Sequence, residues 1–187
     1  MIDGHCVCAH IPALTLSTHV AIVFHHREWS KTTNTGHLML KALTRSAGFL
    51  WGEEGQAPPP RDGLIPEGHH GLVLATDGEP LTPVFAAALR DKGPLALIAT
   101  DGNWRQATRM TRRVPPLSEL TRVTLVDDAP TRYHLRTETR DGGLATFEAI
   151  ARALGALHGP DVRATLEALF QRMVSATLQT RGRSDVL

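Results

Sequence analysis

The sequence predicts an α/β fold in which helices flank a mostly parallel sheet. Short apolar runs rich in valine, isoleucine and leucine alternate with segments of helical periodicity, as in strands joined by crossover helices. The runs are apolar throughout, which is typical of strands buried on both faces of a parallel sheet. The chain has 187 residues, of which 42% are hydrophobic, so it can bury the core of one domain covering 1–187.

Four apolar runs are predicted to be the buried strands of this sheet. They lie at 20–24, 71–74, 95–99 and 123–126. The stretch from 57 to 68 is rich in proline and glycine and is predicted to be a loop.

Three crossover helices are predicted between the strands. The apolar face of the first is Leu38, Met39, Ala42 and Leu43, and that of the second is Val84, Phe85, Ala88 and Leu89. The third is expected from 104 to 113, directly after the third strand.

Two further helices are predicted to close the chain. The first has Thr146 as its N-cap and Glu148 in its first turn, where the helix dipole favours a carboxylate. It ends at Gly159, and the second helix starts at about Asp161. Residues 181–187 are expected to be a disordered tail.

Composition excludes several classes of protein. No apolar run approaches the roughly 20 residues that a membrane helix needs, and the first residues lack the pattern of a signal peptide. Two cysteines spaced C-x-C are not a disulfide framework, so a cytoplasmic protein is expected. A net charge of +1 does not by itself indicate a nucleic-acid-binding protein. The basic residues are nearly all arginine, which suits phosphate recognition but is equally explained by a GC-rich genome.

The segment Asp101-Gly-Asn-Trp104 is the strongest candidate for a catalytic site. It follows a predicted buried strand, and open parallel sheets bind ligands at the carboxyl ends of their strands. A carboxylate beside a large aromatic side chain at that edge is suited to acid–base chemistry. Asp-Gly is also a common turn pair, so a simple strand-to-helix turn is an equally good interpretation of these four residues.

A second candidate is the segment Asn34-Thr-Gly36, which precedes the first crossover helix. Either Asn34 or Thr35 caps that helix, or free backbone N–H groups at its start bind an anion. His25 and Glu28 follow the first strand and are expected to reach the same edge of the sheet.

The helix after Trp104 carries arginine along one face. Arg105, Arg109 and Arg112 are spaced i, i+4 and i+7, and Arg113 adjoins them. Such a face is usually only solvated, but beside a candidate site it is also suited to RNA phosphates.

Further polar segments lie upstream of the fourth predicted helix. Gly142 and Gly143 permit a ligand to approach the backbone closely. Tyr133, the only tyrosine, either stacks on a base or belongs to the core.

Cys6 and Cys8, flanked by His5 and His10, are candidate metal ligands, although a single C-x-C pair falls short of the four ligands of a structural zinc site.

Taken together, these segments resemble the DTW-domain family of tRNA-uridine aminocarboxypropyltransferases. The resemblance extends over nearly the whole chain, and the order and spacing of its short motifs make it specific. The matching residues are Cys6-Val-Cys8, Pro12, His25-His-Arg-Glu28, Thr33-Asn-Thr-Gly36, Asp101-Gly-Asn-Trp104, Ala107, Arg109-Met110, Pro116-Leu117, Tyr133-His-Leu-Arg136, Leu144 and Thr146-Phe-Glu-Ala149.

The resemblance implies an enzyme that uses S-adenosylmethionine as a substrate. It would transfer the 3-amino-3-carboxypropyl group to nitrogen 3 of a tRNA uridine and release methylthioadenosine. It also implies a SPOUT-like fold with a C-terminal trefoil knot formed by residues 123–149. Ordinary topology rules disfavour a knot, and the periodicity of the sequence does not predict one.

The resemblance also assigns roles to individual residues. Asp101 and Trp104 are implied as catalytic residues, with Asp101 as general base and Arg132 or Arg136 as a clamp for the substrate carboxylate. The implied S-adenosylmethionine site consists of Asn34, Thr35, Gly36, Asp101, Tyr133, Leu135, Arg136, Leu144, Thr146 and Glu148. The arginines implied to contact tRNA are Arg105, Arg109, Arg112 and Arg113. A free aspartate, with a pKa of about 3.9, is a weak base for this proton, so either burial raises the pKa of Asp101 or an arginine stabilises the uridine anion.

Two departures from the family pattern stand out. The two further cysteines that complete a zinc site in the family are missing, so zinc binding by Cys6 and Cys8 is left open and residues 1–12 are predicted to be the remnant of such a site. Asn103 stands where the family motif has threonine.

Alternative functions are a SPOUT-type RNA methyltransferase, an aminocarboxypropyltransferase acting on rRNA, and a noncatalytic RNA-binding module. Whether the protein is a monomer or a homodimer does not follow from the sequence.

Overall fold

The structure is a computed structural model that describes residues 6–126, 130–133, 135 and 143–182. Within these residues five strands form one parallel sheet in the order β2-β1-β4-β3-β5. The strands are β1 (His19–His25), β2 (Ser46–Trp51), β3 (His70–Pro80), β4 (Leu95–Asp101) and β5 (Thr121–Thr124). The predicted α/β fold with a parallel sheet is therefore confirmed.

Helices cover both faces of the sheet. They are α1 (His26–Trp29), α2 (Gly36–Ala42), α3 (Arg61–Leu64), α4 (Pro83–Asp91), α5 (Trp104–Arg113), α6 (Thr146–His158) and α7 (Pro160–Thr180). Short 3-10 helices lie at Cys8–His10 and Leu117–Glu119. The predicted third crossover helix from 104 to 113 matches α5, and the two predicted closing helices match α6 and α7.

Strand alternation divides the core between the two faces. In β1, Val20, Ile22 and Phe24 pack towards α2, α4, α6 and α7, whereas Ala21 and Val23 pack towards α3 and α5. Side chains in a strand point alternately to opposite faces, so a strand covered on both sides must be apolar at every position. This explains the uninterrupted apolar runs of β1 and β4.

Several of the predicted strands and loops differ from the structure, and β3 extends to Pro80 rather than to 74. The edge strand β2 was missed, because Ser46–Trp51 contains no β-branched residue and is only half-buried. Strand β5 begins at Thr121 rather than at 123. The predicted loop from 57 to 68 contains the short helix α3, whose Leu64 is fully buried against the sheet.

The apolar face predicted for α4 was half correct, since Leu89 is buried and Phe85 packs against the core, but Val84 and Ala88 do not. Val84 is 81% exposed and Ala88 is exposed as well, whereas Ala86 and Leu89 are buried. Thr82 caps the helix by accepting the N–H of Phe85, and Pro83 occupies its first turn. The packing of Ala86 and Leu89 against the core selects this rotation of the helix, which periodicity alone did not distinguish.

The predicted knot involves residues that the structure describes only in part. Residues 127–129, 134 and 136–142 lie outside the described ranges, so the knot stays a prediction.

In the ranges that are described, no helix is both long enough and apolar enough to cross a membrane.

A histidine hydrogen bond joins the C-terminal end of α6 to the start of β1. His158 Nε2 lies 2.8 Å from Thr18 Oγ1. Burial, and secondly the charge of Arg90, lowers the pKa of His158, while burial also lowers the pKa of His19 at the same end of β1.

We therefore expect the protein to lose stability as the pH falls below about 6.5, the usual histidine pKa. The folded pKa of His158 is depressed, so the unfolded chain takes up a proton that the folded chain resists, and the stabilisation is present only above the unfolded pKa. The variant H158Q should reduce the change in unfolding free energy between pH 7.5 and pH 5.5, measured by urea denaturation. The exposed His10 provides the control H10Q, and equal pH dependence in both variants would contradict the assignment.

Candidate active site

Asp101 ends strand β4 at the carboxyl edge of the sheet. It is 7% exposed and lies opposite Phe24 in the parallel register between β1 and β4. The following helix is capped by Asn103, whose Oδ1 accepts the N–H of Gln106 at 3.0 Å while Gln106 Oε1 accepts the N–H of Asn103 at 2.8 Å. Asn103 thus performs the capping function of this turn, and the Asp101 carboxylate is not the helix cap.

Gly36 allows the start of α2 to approach that carboxylate. Its N–H donates to Asn34 Oδ1 at 2.9 Å. A Cβ atom at position 36 would lie 2.7 Å from Asp101 Oδ2 and 2.6 Å from Cε1 of the Phe24 ring. Any larger residue would displace one of these groups, so glycine is required by close packing. The structure thus brings Asn34 and Gly36 together with Asp101, as expected from the sequence.

The loop before α2 is bonded to the C-terminal part of the chain at two points. The N–H of Phe147 donates to Thr35 Oγ1 at 3.3 Å. The hydroxyl of Tyr133 donates to the carbonyl of Thr33 at 2.6 Å. Two hydrogen bonds therefore join the loop before α2 to segments about 100 residues later in the chain.

Glu148 ties the segment before Tyr133 to the start of α6. Its Oε2 atom accepts the hydroxyl of Thr131 at 2.6 Å and the N–H of Ala145 at 3.0 Å, and its Oε1 atom accepts the N–H of Arg132 at 2.7 Å. The residue is 4% exposed. Because Glu148 at the third position of α6 reaches back to Ala145, the N-cap is Ala145, and the predicted capping role of Thr146 was wrong.

The remaining residues of the expected S-adenosylmethionine site differ in burial. The Tyr133 ring is buried with its centroid 5.9 Å from that of Phe170, so it is part of the core, one of the two roles that the sequence allowed. Leu135 is buried and its carbonyl accepts Arg181 Nη1 at 3.2 Å, while Leu144 is half-buried. Arg136 and Gly142 lie outside the described residues.

His25 and Gln106 connect the two neighbouring strand ends. His25 Nδ1 accepts the N–H of Arg27 at 3.2 Å and lies 3.4 Å from Gln106 Nε2. Burial, and then the nearby His26 and Arg27, lowers the pKa of His25. Gln106 was not identified from the sequence, although a glutamine three residues after Asn103 is the signature of a capping box.

The arginine face of α5 is exposed but not uniform. Arg112 Nη2 donates to Asp77 Oδ2 at 3.0 Å, and Arg122 donates to the other carboxylate oxygen. These hydrogen bonds, from Arg122 and then Arg112, lower the pKa of Asp77. Among the described residues no carboxylate pairs with Arg105, Arg109 or Arg113. Arg112 is thus the one of the four predicted RNA-binding arginines that has a carboxylate partner among the described residues, and the predicted contact of this face with tRNA stays a prediction.

The cysteines lie far along the chain from these residues, near the start of the described part. Both are exposed, and the N–H of Cys8 donates to Cys6 Sγ at 3.4 Å. Hydrogen bonding with Cys8 lowers the pKa of Cys6. Within the described residues no cluster of three or more histidine, cysteine or acidic side chains is placed to hold a metal ion. His5, which also flanks the cysteines in the sequence, lies outside those residues.

The sheet and the geometry at Asp101 are those of an open parallel α/β protein with a buried carboxylate at the carboxyl edge of its sheet. A family model described as the DTW domain matches residues 1–178, so the chain belongs to the DTW domain family. This confirms the resemblance found in the sequence.

Two known proteins are similar to this chain. The tRNA-uridine aminocarboxypropyltransferase 2 of Drosophila melanogaster is 35% identical over 96 residues, which are 51% of this chain and 37% of that protein. The chain thus matches little more than a third of the length of this relative. The structure of the SAM-dependent rRNA:acp-transferase Tsr3 from Vulcanisaeta distributa superposes with a TM-score of 0.51 at 17% identity, covering 87% of this chain and 80% of that chain. At this identity the similarity concerns the fold.

Replacing Glu148 with glutamine should destabilise the protein. The amide keeps the size of the side chain, but its NH2 group presents two N–H donors at a site where the carboxylate oxygens accept three hydrogen bonds. A hydrogen bond to a charged group contributes about 1.5–3 kcal/mol. We expect E148Q to lower the free energy of unfolding by about 2 kcal/mol or more, measured by urea denaturation. The control is E167Q on α7, whose Oε1 pairs with the partly exposed Arg163 at 2.7 Å and which should cost less than about 1 kcal/mol. Equal losses would contradict the role of Glu148.

Proposed function

We propose that this protein is an aminocarboxypropyltransferase that modifies nitrogen 3 of a uridine in tRNA. The observation that carries the proposal is the buried Asp101 carboxylate, packed against Gly36 at the carboxyl edge of the sheet in a chain of the DTW family. The Drosophila relative, a tRNA-uridine aminocarboxypropyltransferase, supports the reaction and the tRNA substrate. The Vulcanisaeta protein, a SAM-dependent acp-transferase, supports the use of S-adenosylmethionine.

S-adenosylmethionine is proposed to bind as the donor substrate beside Asp101. Half-buried Leu144 and buried Leu135 would supply apolar surface, and the Tyr133 hydroxyl ties this part of the chain to Thr33, just before Gly36 at the Asp101 edge. A carboxylate at this edge suits a ligand that carries a sulfonium and an ammonium group. The bound donor would supply a 3-amino-3-carboxypropyl group on a sulfonium, with methylthioadenosine as leaving group.

Asp101 is proposed to act as the general base. Its carboxylate would accept the proton of the uridine N3–H as that nitrogen forms its bond to the transferred carbon. Burial at the strand end removes water and strengthens the interaction of the carboxylate with the proton it receives. Trp104, the first residue of α5, lies three residues away and would restrict the position of the uridine ring.

Positioning of the two substrates should contribute more to the rate than the strength of the base, since the donor already carries a good leaving group. Thr35 and Glu148 are proposed to be positioning residues, because their polar atoms bond to the backbone of Phe147 and to the segment 131–132. Arg132 is exposed beside this segment and is proposed to bind the substrate carboxylate. Arg136, outside the described residues, stays the alternative for that role.

The fold similarity to an rRNA-directed enzyme makes rRNA the second candidate substrate. The test is to incubate the purified protein with S-adenosylmethionine and either tRNA or an rRNA fragment, digest the RNA and identify the modified nucleoside by mass spectrometry. An aminocarboxypropyl-uridine from tRNA supports the proposal, and one from rRNA alone redirects it. A methylated nucleoside would contradict it.

Replacing Asp101 with asparagine should lower kcat by about 100-fold or more, the usual contribution of a general base. Asparagine is nearly isosteric but cannot accept the N3 proton, so kcat should fall by far more than the affinity for S-adenosylmethionine measured by calorimetry. The control is D91N, at the exposed end of α4. Normal turnover by D101N would rule out the general-base role.

The double variant R105A/R109A should weaken RNA binding and reduce the slope of log K against log salt by about 1 to 2, as two phosphate contacts are lost. The variant R172A serves as control, because Arg172 is exposed on α7, which packs on the opposite face of the sheet from α5. Fluorescence anisotropy at several salt concentrations measures both quantities. An unchanged slope would show that this face of α5 does not contact phosphates.

A further inference from the structure

Trp29 is a large aromatic residue that the structure leaves partly exposed. It ends the short helix α1 and is 42% exposed. Its ring makes edge contacts with Phe24, at 5.0 Å between centroids, and with His37, at 4.5 Å. His37 Nε2 also donates to the Trp29 carbonyl at 2.9 Å. The indole is therefore held at a defined position while part of its surface faces solvent.

This aromatic group borders the candidate active site. The Phe24 ring contacts Trp29 and also lies against the Gly36 position, where its Cε1 atom would be 2.6 Å from an added Cβ. Asp101 Oδ2 would lie 2.7 Å from the same point. The exposed indole is thus separated from the proposed base by a single buried ring.

The surroundings of Trp29 favour a polyanion over an apolar partner. Arg27 and Lys31 lie two residues away on either side and are exposed, although Lys31 also pairs with the buried Glu28 at 2.5 Å. Arg109 of the α5 face is close enough to His25 to help lower the pKa of that histidine. The other large hydrophobic residues that are exposed among the described ones, Val84 and Val126, lie on α4 and beyond β5. No extended apolar patch therefore surrounds the indole within the described part of the chain, as a protein-docking surface would require.

We propose that Trp29 is a stacking platform for a nucleobase of single-stranded RNA next to the uridine that reacts at Asp101. This inference rests on the proposed function, since it places the RNA in the same site. Unpaired bases are commonly recognised by stacking on aromatic side chains, which every base can do irrespective of sequence. Cations beside the ring hold the phosphates on either side of the stacked base.

The test measures the affinity of a fluorescently labelled single-stranded RNA without S-adenosylmethionine. Alanine at position 29 should weaken binding by about 5- to 150-fold, whereas W29F, which keeps an aromatic face, should retain most of the affinity. Because stacking is not ionic, the salt dependence of binding should stay unchanged in W29A, in contrast to R105A/R109A. The control V84A removes an exposed apolar side chain far from the site and should bind as the wild type does.

A second measurement separates stacking from a general disturbance of the site. Two further RNAs are prepared, one with an abasic residue before the target uridine and one with an abasic residue after it. The RNA that lacks the stacked base should bind wild type and W29A with the same reduced affinity. Unchanged binding by W29A, equal losses in W29F and W29A, or additive effects of W29A and the abasic residues would overturn the inference. So would the absence of RNA binding by the wild type.

The proposed reaction and the proposed stacking role of Trp29 can be refuted independently of each other. If no modified nucleoside forms but W29A still weakens RNA binding, the reaction is refuted and the stacking role stands. If the nucleoside forms and W29A binds RNA normally, the stacking role is refuted and the reaction stands.

Discussion

The buried carboxylate of Glu148 is the interaction on which the candidate site depends. It accepts three hydrogen bonds that join the start of α6 to residues 131 and 132, and the next contact along this segment is the bond from Tyr133 to Thr33. A buried carboxylate is stable only when its oxygens are satisfied, so this arrangement fixes both segments together. It complements the apolar packing of α6, whose Phe147, Ile150 and Leu154 are fully buried against the sheet.

The parallel sheet supplies the second constraint. Because β1 and β4 are paired in parallel, their carboxyl ends meet, and residues following Phe24 lie beside Asp101. Gly36 then lets α2 approach until its backbone contacts both groups. The Phe24 ring that packs at the Gly36 position beside Asp101, the proposed base, also contacts Trp29. Chemistry and RNA recognition would therefore share one edge of the fold.

The sequence predicted those features that depend on local patterns. Strands β1 and β4 were found because burial on both faces leaves only apolar residues, and α5 was found because it follows such a strand directly. The edge strand β2 was missed because Ser46–Trp51 is half-buried and owes its conformation to pairing with β1. The face of α4 was assigned only half correctly, because the exposed Val84 and Ala88 are spaced as regularly as Phe85 and Leu89, which meet the core. Periodicity specifies a helix but not which of two similar faces meets the core.

The fold class, the family and the residues of the Asp101 turn were therefore all readable from the sequence, since they reside in motifs and in short-range order. Packing of the folded chain set what each side chain does. It made Asn103 rather than Asp101 the cap of α5, joined Arg112 to Asp77, placed the Tyr133 ring in the core and left Trp29 exposed beside the site. These outcomes depend on contacts between residues that are mostly far apart in the chain. Hydrogen-bond partners and burial are fixed only when the elements pack together, and no local pattern encodes them.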